Sequence, residues 1–480
     1  MKKSLNITIT LPFALSFLLA CQPSLPQVPP ASSHSPQTSS QPMASPSVSE
    51  QPSSSSSAPS VEPRLKVLAE DTQTQPRPSY AELQPLLDSP LVQKYNAFGF
   101  KLFKEIFAEE GHLQNLMISP LSIMLALALV YNGTEGESKA ELEKVLELEG
   151  FSREEFNRLS GLLQRYLNHM QENSQIEVAN SLWADIDDIL ILPDYVREVG
   201  QHYNARLALV DFQGEPKQVA DAINGWISQK TRGLIDKILS EDQIRQALLI
   251  LVNTVYFKAK WSSPFEEILS NKNKFTLLDK SVKESIFMND YGYFKYFKDN
   301  YNSFQVLSLY YERLNYKPLG QDLNLAMTIL LPDQQTGLSE LMQKIDQNQW
   351  GESLQKRDRK RGSLSFPRFE ATYGNGHVEA VLEKMNLIQI FDPIKANFRR
   401  LTPQKTYVSQ ILHSTRIKVN ETGTEAAAVT VVYYPVPSVD YTPAAFEFKA
   451  DHPFFYAIHD ETTGLILFMG TLINPEDVKK

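Results

Sequence analysis
Eight histidines and a single cysteine lie scattered through the 480 residues. None stands in a His-Glu-x-x-His pair that could hold zinc or in a Cys-His arrangement that could activate a nucleophile. The chain has neither a Gly-x-Ser-x-Gly turn nor a phosphate-cradling glycine loop. No catalytic residue, metal ligand or cofactor is expected, and the chain does not read as an enzyme. What it offers is a stretch suited to being attacked: Glu421-Thr-Gly-Thr-Glu-Ala-Ala-Ala-Val-Thr430, running through Tyr433, Tyr434 and Asp440 to Pro443. Its first half is small and fits a strand. Gly423 can take positive φ, Thr424, Val429 and Thr430 favour extended backbone, and Ala426, Ala427 and Ala428 add almost no bulk. With strand alternation, Thr424, Ala426, Ala428 and Thr430 share one face, so the segment could slide between two strands that are already packed. In the second half Pro435, Pro437 and Pro443 each remove a backbone donor and keep the chain out of a central sheet position. That half reads as exposed bait. A flexible surface loop before a terminal hairpin is the plainer reading of the same residues.

The surroundings favour the first reading. Together with Phe446-Glu-Phe-Lys-Ala-Asp-His-Pro-Phe-Phe455 and Leu465-Ile-Leu-Phe-Met-Gly-Thr-Leu-Ile-Asn-Pro475, this stretch resembles the hinge, reactive loop and closing strands of the serpin family. The resemblance covers 91–475. It implies an α+β fold with three β-sheets, about nine helices and an exposed reactive-centre loop at 421–445. In that family cleavage releases the hinge, which inserts into the main sheet as a new strand and drags the acylated protease across the molecule. By motif, the hinge is Glu421, Gly423, Thr424, Glu425, Ala426, Ala427, Ala428 and Thr430. Arg368, in Leu364-Ser-Phe-Pro-Arg-Phe369, is the base expected to pair with Glu421; the motif more often carries lysine there, and the exchange keeps charge but changes geometry. Ser119 and Ser122 match residues that set how easily the main sheet opens. Asn253 is expected to face His413 as a latch on the strand gap, with Trp261 ending the same strand.

Several elements must position these residues. Apolar residues from Val92 to Phe107 recur near a 3.6 period and predict an amphipathic helix over 92–109. Ser119 is placed as the N-cap of a second helix, with Pro120 at its first position and Gly133 past its end. That helix is apolar nearly all round and belongs inside the core. A charged helix is expected at 137–148 and a strand start at 178–183, and the stretch from Asp221 to Ile235 resembles another serpin signature, a helix ended by Gly233. The run from Ala247 to Trp261 begins as a continuous apolar stretch, the mark of a strand covered on both faces; Asn253 interrupts it and must find partners. The basic run 356–361 reads as a solvated loop, with a polyanion site as the alternative.

The scissile bond is expected within Val436, Pro437, Ser438 and Val439. Proline is poor on either side of a cut for most serine proteases, so Ser438-Val439 would suit an elastase-like or subtilisin-like enzyme. A cut at Tyr433-Tyr434 would suit a chymotrypsin-like one but shortens the inserting arm. Two functions remain open: a suicide-substrate inhibitor of serine or cysteine proteases, or a non-inhibitory serpin that binds or stores. The small hinge residues favour the inhibitor, because a charged group there would be buried on insertion at a cost of several kcal/mol.

The first residues address the chain. Residues 1–20 have a basic start and an apolar run too short to span a bilayer. The run ends in Leu18-Leu-Ala-Cys21, which resembles a bacterial lipobox, so Cys21 is expected to carry lipid. Residues 21–79 are rich in Ser, Pro and Gln and are expected to form a disordered tether of ~40 Å average reach, ahead of a folded domain at 80–477. The resemblance implies a bacterial outer-membrane lipoprotein facing the periplasm or the cell surface. A formal charge of −9 argues against nucleic acid or an anionic membrane surface as partners. The lone cysteine excludes an internal disulfide, and a monomer is expected.

Overall fold
The structure, a computed structural model, describes residues 64–71, 76, 78–168, 174–312, 324–333, 337–374, 378–424 and 445–475. Cys21, Glu425, Ala426, Ala427, Ala428, Thr430, Val436, Pro437, Ser438 and Val439 lie outside them. In chain order the described elements begin β1 (Leu65–Ala69), α1 (Tyr80–Leu87), α2 (Leu91–Glu110), β2 (Leu116–Ile118), α3 (Pro120–Gly133), α4 (Gly136–Val145), α5 (Arg153–Leu167) and β3 (Ser174–Asp185). They continue with α6 (Pro193–Tyr203), β4 (Arg206–Val210), α7 (Pro216–Lys230), α8 (Glu241–Ile244), β5 (Leu249–Lys260), β6 (Asn271–Thr276), β7 (Val282–Asp299), β8 (Phe304–Tyr310) and β9 (Leu325–Pro332). Then follow α9 (Leu338–Lys344), α10 (Gln347–Gln355), β10 (Asp358–Pro367), β11 (Phe369–Gly374), α11 (Val378–Lys384), β12 (Gln410–Asn420), β13 (Gly423–Thr424), β14 (Phe446–Lys449), β15 (Phe454–Asp460) and β16 (Ile466–Leu472).

The α+β class expected from the sequence is what forms. One sheet runs in the order β1-β4-β3-β5-β13-β12-β11; the second runs β14-β10-β7-β8-β9-β15-β16-β2, with β6 added on β7. Among the described residues the strands of the three expected sheets join into two continuous ladders, because β7 is 18 residues long. Its first third pairs with β6, its middle ten residues with β10, and its last five with β8, so one strand joins what would be two sheets.

Helix α3 sits beneath both sheets. Every one of its 14 residues is buried, as its all-round apolar sequence requires, and it packs on α2, β5 and β16. The Ser119 side chain caps it by accepting from the Ser122 N–H, and Pro120 fills the first turn. Gly133 is its last residue and not the one beyond; a Cβ there would stand 2.9 Å from that of Leu401, so the glycine serves packing. Strand β5 is buried over its first nine residues, between the α3 side of the core and a second cluster built on Trp183, Ile223, Ile227, Ile250 and Val252.

Two expectations need correcting. Leu65–Ala69, placed within the tether, is the edge strand of the first sheet and pairs antiparallel with β4. Its apolar Leu65, Val67 and Leu68 supply what the preceding Ser/Pro/Gln sequence lacks, and Arg64 fixes its start through Asp187 at 2.5 Å and Asp211 at 3.4 Å. The basic run 356–361 is likewise not a solvated loop. Arg357 is buried and pairs with Glu461 at 2.9 Å, and from Asp358 onward the run is β10, paired with β7.

Candidate functional site
Strands β5 and β12 are neighbours over only part of their length. Residues 250–254 of β5 pair in parallel with 410–414 of β12. At the other end the loop root separates them. Gly423 and Thr424 form β13, antiparallel to both, with Gly423 opposite Lys260 and Asn420 and Thr424 opposite Ala259 and Val419. Four positions on each strand, 255–258 and 415–418, lie between the two stretches.

Local chemistry sets this entry. The Asn420 side-chain oxygen accepts from the Thr422 N–H at 3.0 Å, the Thr422 hydroxyl at 2.8 Å and the Gly423 N–H at 3.3 Å, a turn that asparagine forms readily. Gly423 has φ +153°, and a Cβ there would lie 2.2 Å from the Ala259 carbonyl oxygen. Only glycine lets the chain pass that close. Thr424 is buried and its hydroxyl meets that of Tyr311 at 2.8 Å. Trp261, stacked on Tyr311 at 4.5 Å, donates its ring N–H to the Asn420 carbonyl at 2.9 Å and its backbone N–H to the Thr422 carbonyl at 3.0 Å.

Glu421 anchors the root. Arg368, at the crossover between β10 and β11, donates from Nε at 2.7 Å and also from Nη2 to the same carboxylate oxygen, and Ser270 donates to it at 2.6 Å. Burial pushes the Glu421 carboxyl up, but the bonds from Arg368 and Ser270 outweigh it and hold the group below its usual range. Both side chains are nearly inaccessible, at 9% and 5%.

The other end of the gap is held by a buried polar cluster. His413 lies opposite Asn253 on the neighbouring strand. Its Nε2 accepts from the Ser119 N–H at 3.2 Å, so the proton sits on Nδ1, which makes no hydrogen bond to the protein. Burial alone pulls its pKa down to about 3. Asn253 directs its amide to Asn180 on β3 and not to the imidazole. The Ser119 hydroxyl donates to the Leu467 carbonyl at 2.7 Å, so this residue caps α3 and ties its start to β16 at once. Ser122 is buried nearby, its hydroxyl without a protein partner.

The structure thus brings Ser119, Ser122, Asn253 and His413 together at one end of the gap and Trp261, Arg368, Glu421, Gly423 and Thr424 at the other. Sequence reasoning missed Asn180, Ser270, Tyr311 and Asn420. Asn420 had a local signal, as the asparagine of an Asn-Glu-Thr-Gly turn; the rest come from strands or loops more than 70 residues away from their partners.

The family model for serpins (serine protease inhibitors) matches residues 93–475. The chain belongs to the serpin family. Among relatives, this serpin is 30% identical over 386 residues to a serpin-like protein of Methanosarcina acetivorans, covering 79% of this chain and 85% of that one. It is 31% identical over 420 residues to human serpin B12, covering 80% and 99%. Among solved structures it superposes on the native state of the thermophilic serpin tengpin with a TM-score of 0.71 at 28% identity, covering 81% and 95%. On uncleaved ovalbumin the TM-score is 0.70 at 25% identity, covering 80% and 99%.

Proposed function
We propose that this serpin is a suicide-substrate inhibitor of serine or cysteine proteases, trapping the enzyme by inserting residues 425 onward between β5 and β12. The observation that carries this is the register of β13. Thr424 stands opposite Ala259 and Val419, and continuing that ladder sets Ala426 between Phe257 and Ile417, Ala428 between Val255 and Thr415, and Thr430 between Asn253 and His413. Asn253 and His413 are already each other's partners. One antiparallel strand can therefore satisfy both neighbours at every step without a slip.

The faces agree with this register. Phe257, Val255, Ile417 and Thr415 are buried, and the arriving side chains on that face are Thr or Ala. On the opposite face Glu425 would arrive between Lys258 and Lys418, a favourable cross-strand charge arrangement. Insertion also acquires two stages. Residues 425–428 occupy the four intervening positions without breaking a described β5–β12 pair; from Val429 on, each residue replaces one, beginning with Thr254 and Ser414 and then Asn253 and His413. The latch is met at the sixth residue past Thr424. By the same register Tyr433 reaches Ile250 and Gln410, the last of those pairs. A cut at Tyr433-Tyr434 leaves no chain beyond them to carry the protease clear of the sheet, which supports a cut within 436–439.

A binding or storage role makes no use of a run of small residues directly after a strand that enters the gap between β5 and β12. The test is cleavage in the loop by subtilisin or an elastase, located by mass spectrometry, followed by thermal unfolding. Inserted strand pairing should raise the melting temperature well above that of the intact protein. A cleaved form that melts at or below it, as a nick in an ordinary loop would leave it, contradicts insertion. Lipid on Cys21 at an outer-membrane surface is part of the same proposal and rests on the Leu18-Leu-Ala-Cys21 motif.

A further inference from the structure
The outer face of β7 and β10 carries a ladder of tyrosines and cations. Strand alternation puts Tyr291, Tyr293 and Lys295 opposite the buried Phe294 and Tyr296. Register sets Ser363 against Tyr291, Arg361 against Tyr293 and Arg359 against Lys295. The Arg359 guanidinium lies 4.5 Å over Tyr293, and that of Arg361 lies 4.9 Å over Tyr291 and 6.0 Å from Tyr293. Tyr291 and Tyr293 nevertheless remain 49% and 50% exposed. These rings are held in place by their arginines and present half their surface to solvent.

The ladder lies between the two roots of the loop. The Ala445 N–H donates to the Arg361 carbonyl at 2.8 Å, and Phe446 pairs with Gly362. On the other side a groove of about 810 Å3 runs from Tyr291, Tyr293 and Arg359 to Trp261, Phe265 and Tyr311. Those three hold the first root: Phe265 donates to the Glu421 carbonyl at 2.9 Å, and Tyr311 meets Thr424. The chain thus leaves the described fold at Thr424 and rejoins it at Ala445 next to this face.

We propose that the ladder is an exosite for the target protease, docking an acidic patch on that enzyme outside its active-site cleft. The proposal rests on the inhibitory reading above. Lys295, Arg359 and Arg361 make a local positive field in a chain of net charge −9, which selects acidic surface and accelerates encounter. Interleaved tyrosines favour a folded protein over a sulfated polysaccharide, because Tyr and Arg are the residues that dominate protein interfaces. Glu447, exposed beside Ser363, and half-buried Asp290 bound the patch on its acidic side.

The experiment compares wild type with Arg359→Glu/Arg361→Glu and with the milder Arg359→Gln/Arg361→Gln, whose melting curve confirms folding. Rate constants for covalent complex formation are measured with subtilisin, a pancreatic elastase and chymotrypsin at about 0.05 M and about 0.5 M salt. For the protease trapped fastest, the Glu pair should lower the rate about tenfold at low salt. The Gln pair should lower it less, the difference should close at high salt, and the yield of complex per cleavage should stay unchanged. Equal rates in all three proteins overturn the exosite, as does a loss that salt leaves unaltered. Acceleration of wild type alone by long-chain heparin, with equal rates in its absence, overturns it in favour of a polyanion site. If no protease is trapped by wild type, the inhibitory reading fails and the exosite falls with it; trapping at an unchanged rate sinks the exosite alone.

Discussion
Stability should fall below pH 6.5 because of His413, and the size of the fall follows from its surroundings. The imidazole is 1% exposed, accepts from the Ser119 N–H, and faces Asn253 across the strand pair. Burial lowers its pKa to about 3, whereas in the unfolded chain it titrates near 6.5. Between those values the unfolded state binds the extra proton, so stability rises with pH through this window, is complete above 6.5, and is lost as pH falls. At pH 5 the loss is 1.5 units of ~1.4 kcal/mol, about 2 kcal/mol. His459 is buried, lies beside Arg357, and is also lowered to about 3, so it contributes a similar term. His413→Gln, which cannot titrate there, should therefore lose about 2 kcal/mol less than wild type between pH 7.5 and 5.0. Urea unfolding followed by tryptophan fluorescence at constant ionic strength measures both. The same loss in the two proteins would refute the assignment of a neutral imidazole to this site. A protonated Nε2 would also confront the Ser119 N–H with a second donor, so the latch should loosen as it titrates.

Glu421→Gln should leave the Arg368 guanidinium buried without its charge partner and cost about 3–5 kcal/mol; the double change Arg368→Met/Glu421→Leu should recover much of that, and urea midpoints of the three variants decide. Because Glu421 is held below the usual carboxylate range, its contribution should be complete above about pH 4.5 and lost only as pH falls through its lowered value. At the other end of the chain, Cys21→Ser should move the protein from the membrane to the soluble fraction on fractionation of expressing cells; unchanged partition would contradict lipidation.

The parts legible in the sequence were those whose signals are local. Ser119 followed by Pro120 and an unbroken apolar run dictates a capped, buried α3, and the Asn420-Glu-Thr-Gly423 sequence carries the signal of the turn that leads into β13. The arrangement around them was not local. Glu421 takes its partners from Ser270 and Arg368, 151 and 53 residues away, and no periodicity announces that. Asn253 was recognisable as a buried amide needing a partner, yet the partner proved to be Asn180, 73 residues back on β3. The run 356–361 misled because consecutive charges carry no apolar alternation. Its strand character comes from the partner β7, whose tyrosines lie under Arg359 and Arg361, and from Glu461, which compensates Arg357. Strand β1 was missed because five residues of modest alternation are outweighed by the low-complexity sequence before them.

The central claim is that residues beyond Thr424 enter the sheet in the register set by β13. Ala428→Glu tests it most directly, since that register places the new carboxylate between Val255 and Thr415, which are 5% and 1% exposed. An unpaired carboxylate there costs several kcal/mol and should slow insertion, while the residues a protease reads lie further along the loop. The quantity to measure is the ratio of SDS-resistant covalent complex to cleaved serpin after reaction with a trapped protease. Wild type should give mostly complex, and Ala428→Glu, cut at the same bond, mostly cleaved protein. Equal ratios in the two proteins would contradict insertion between β5 and β12.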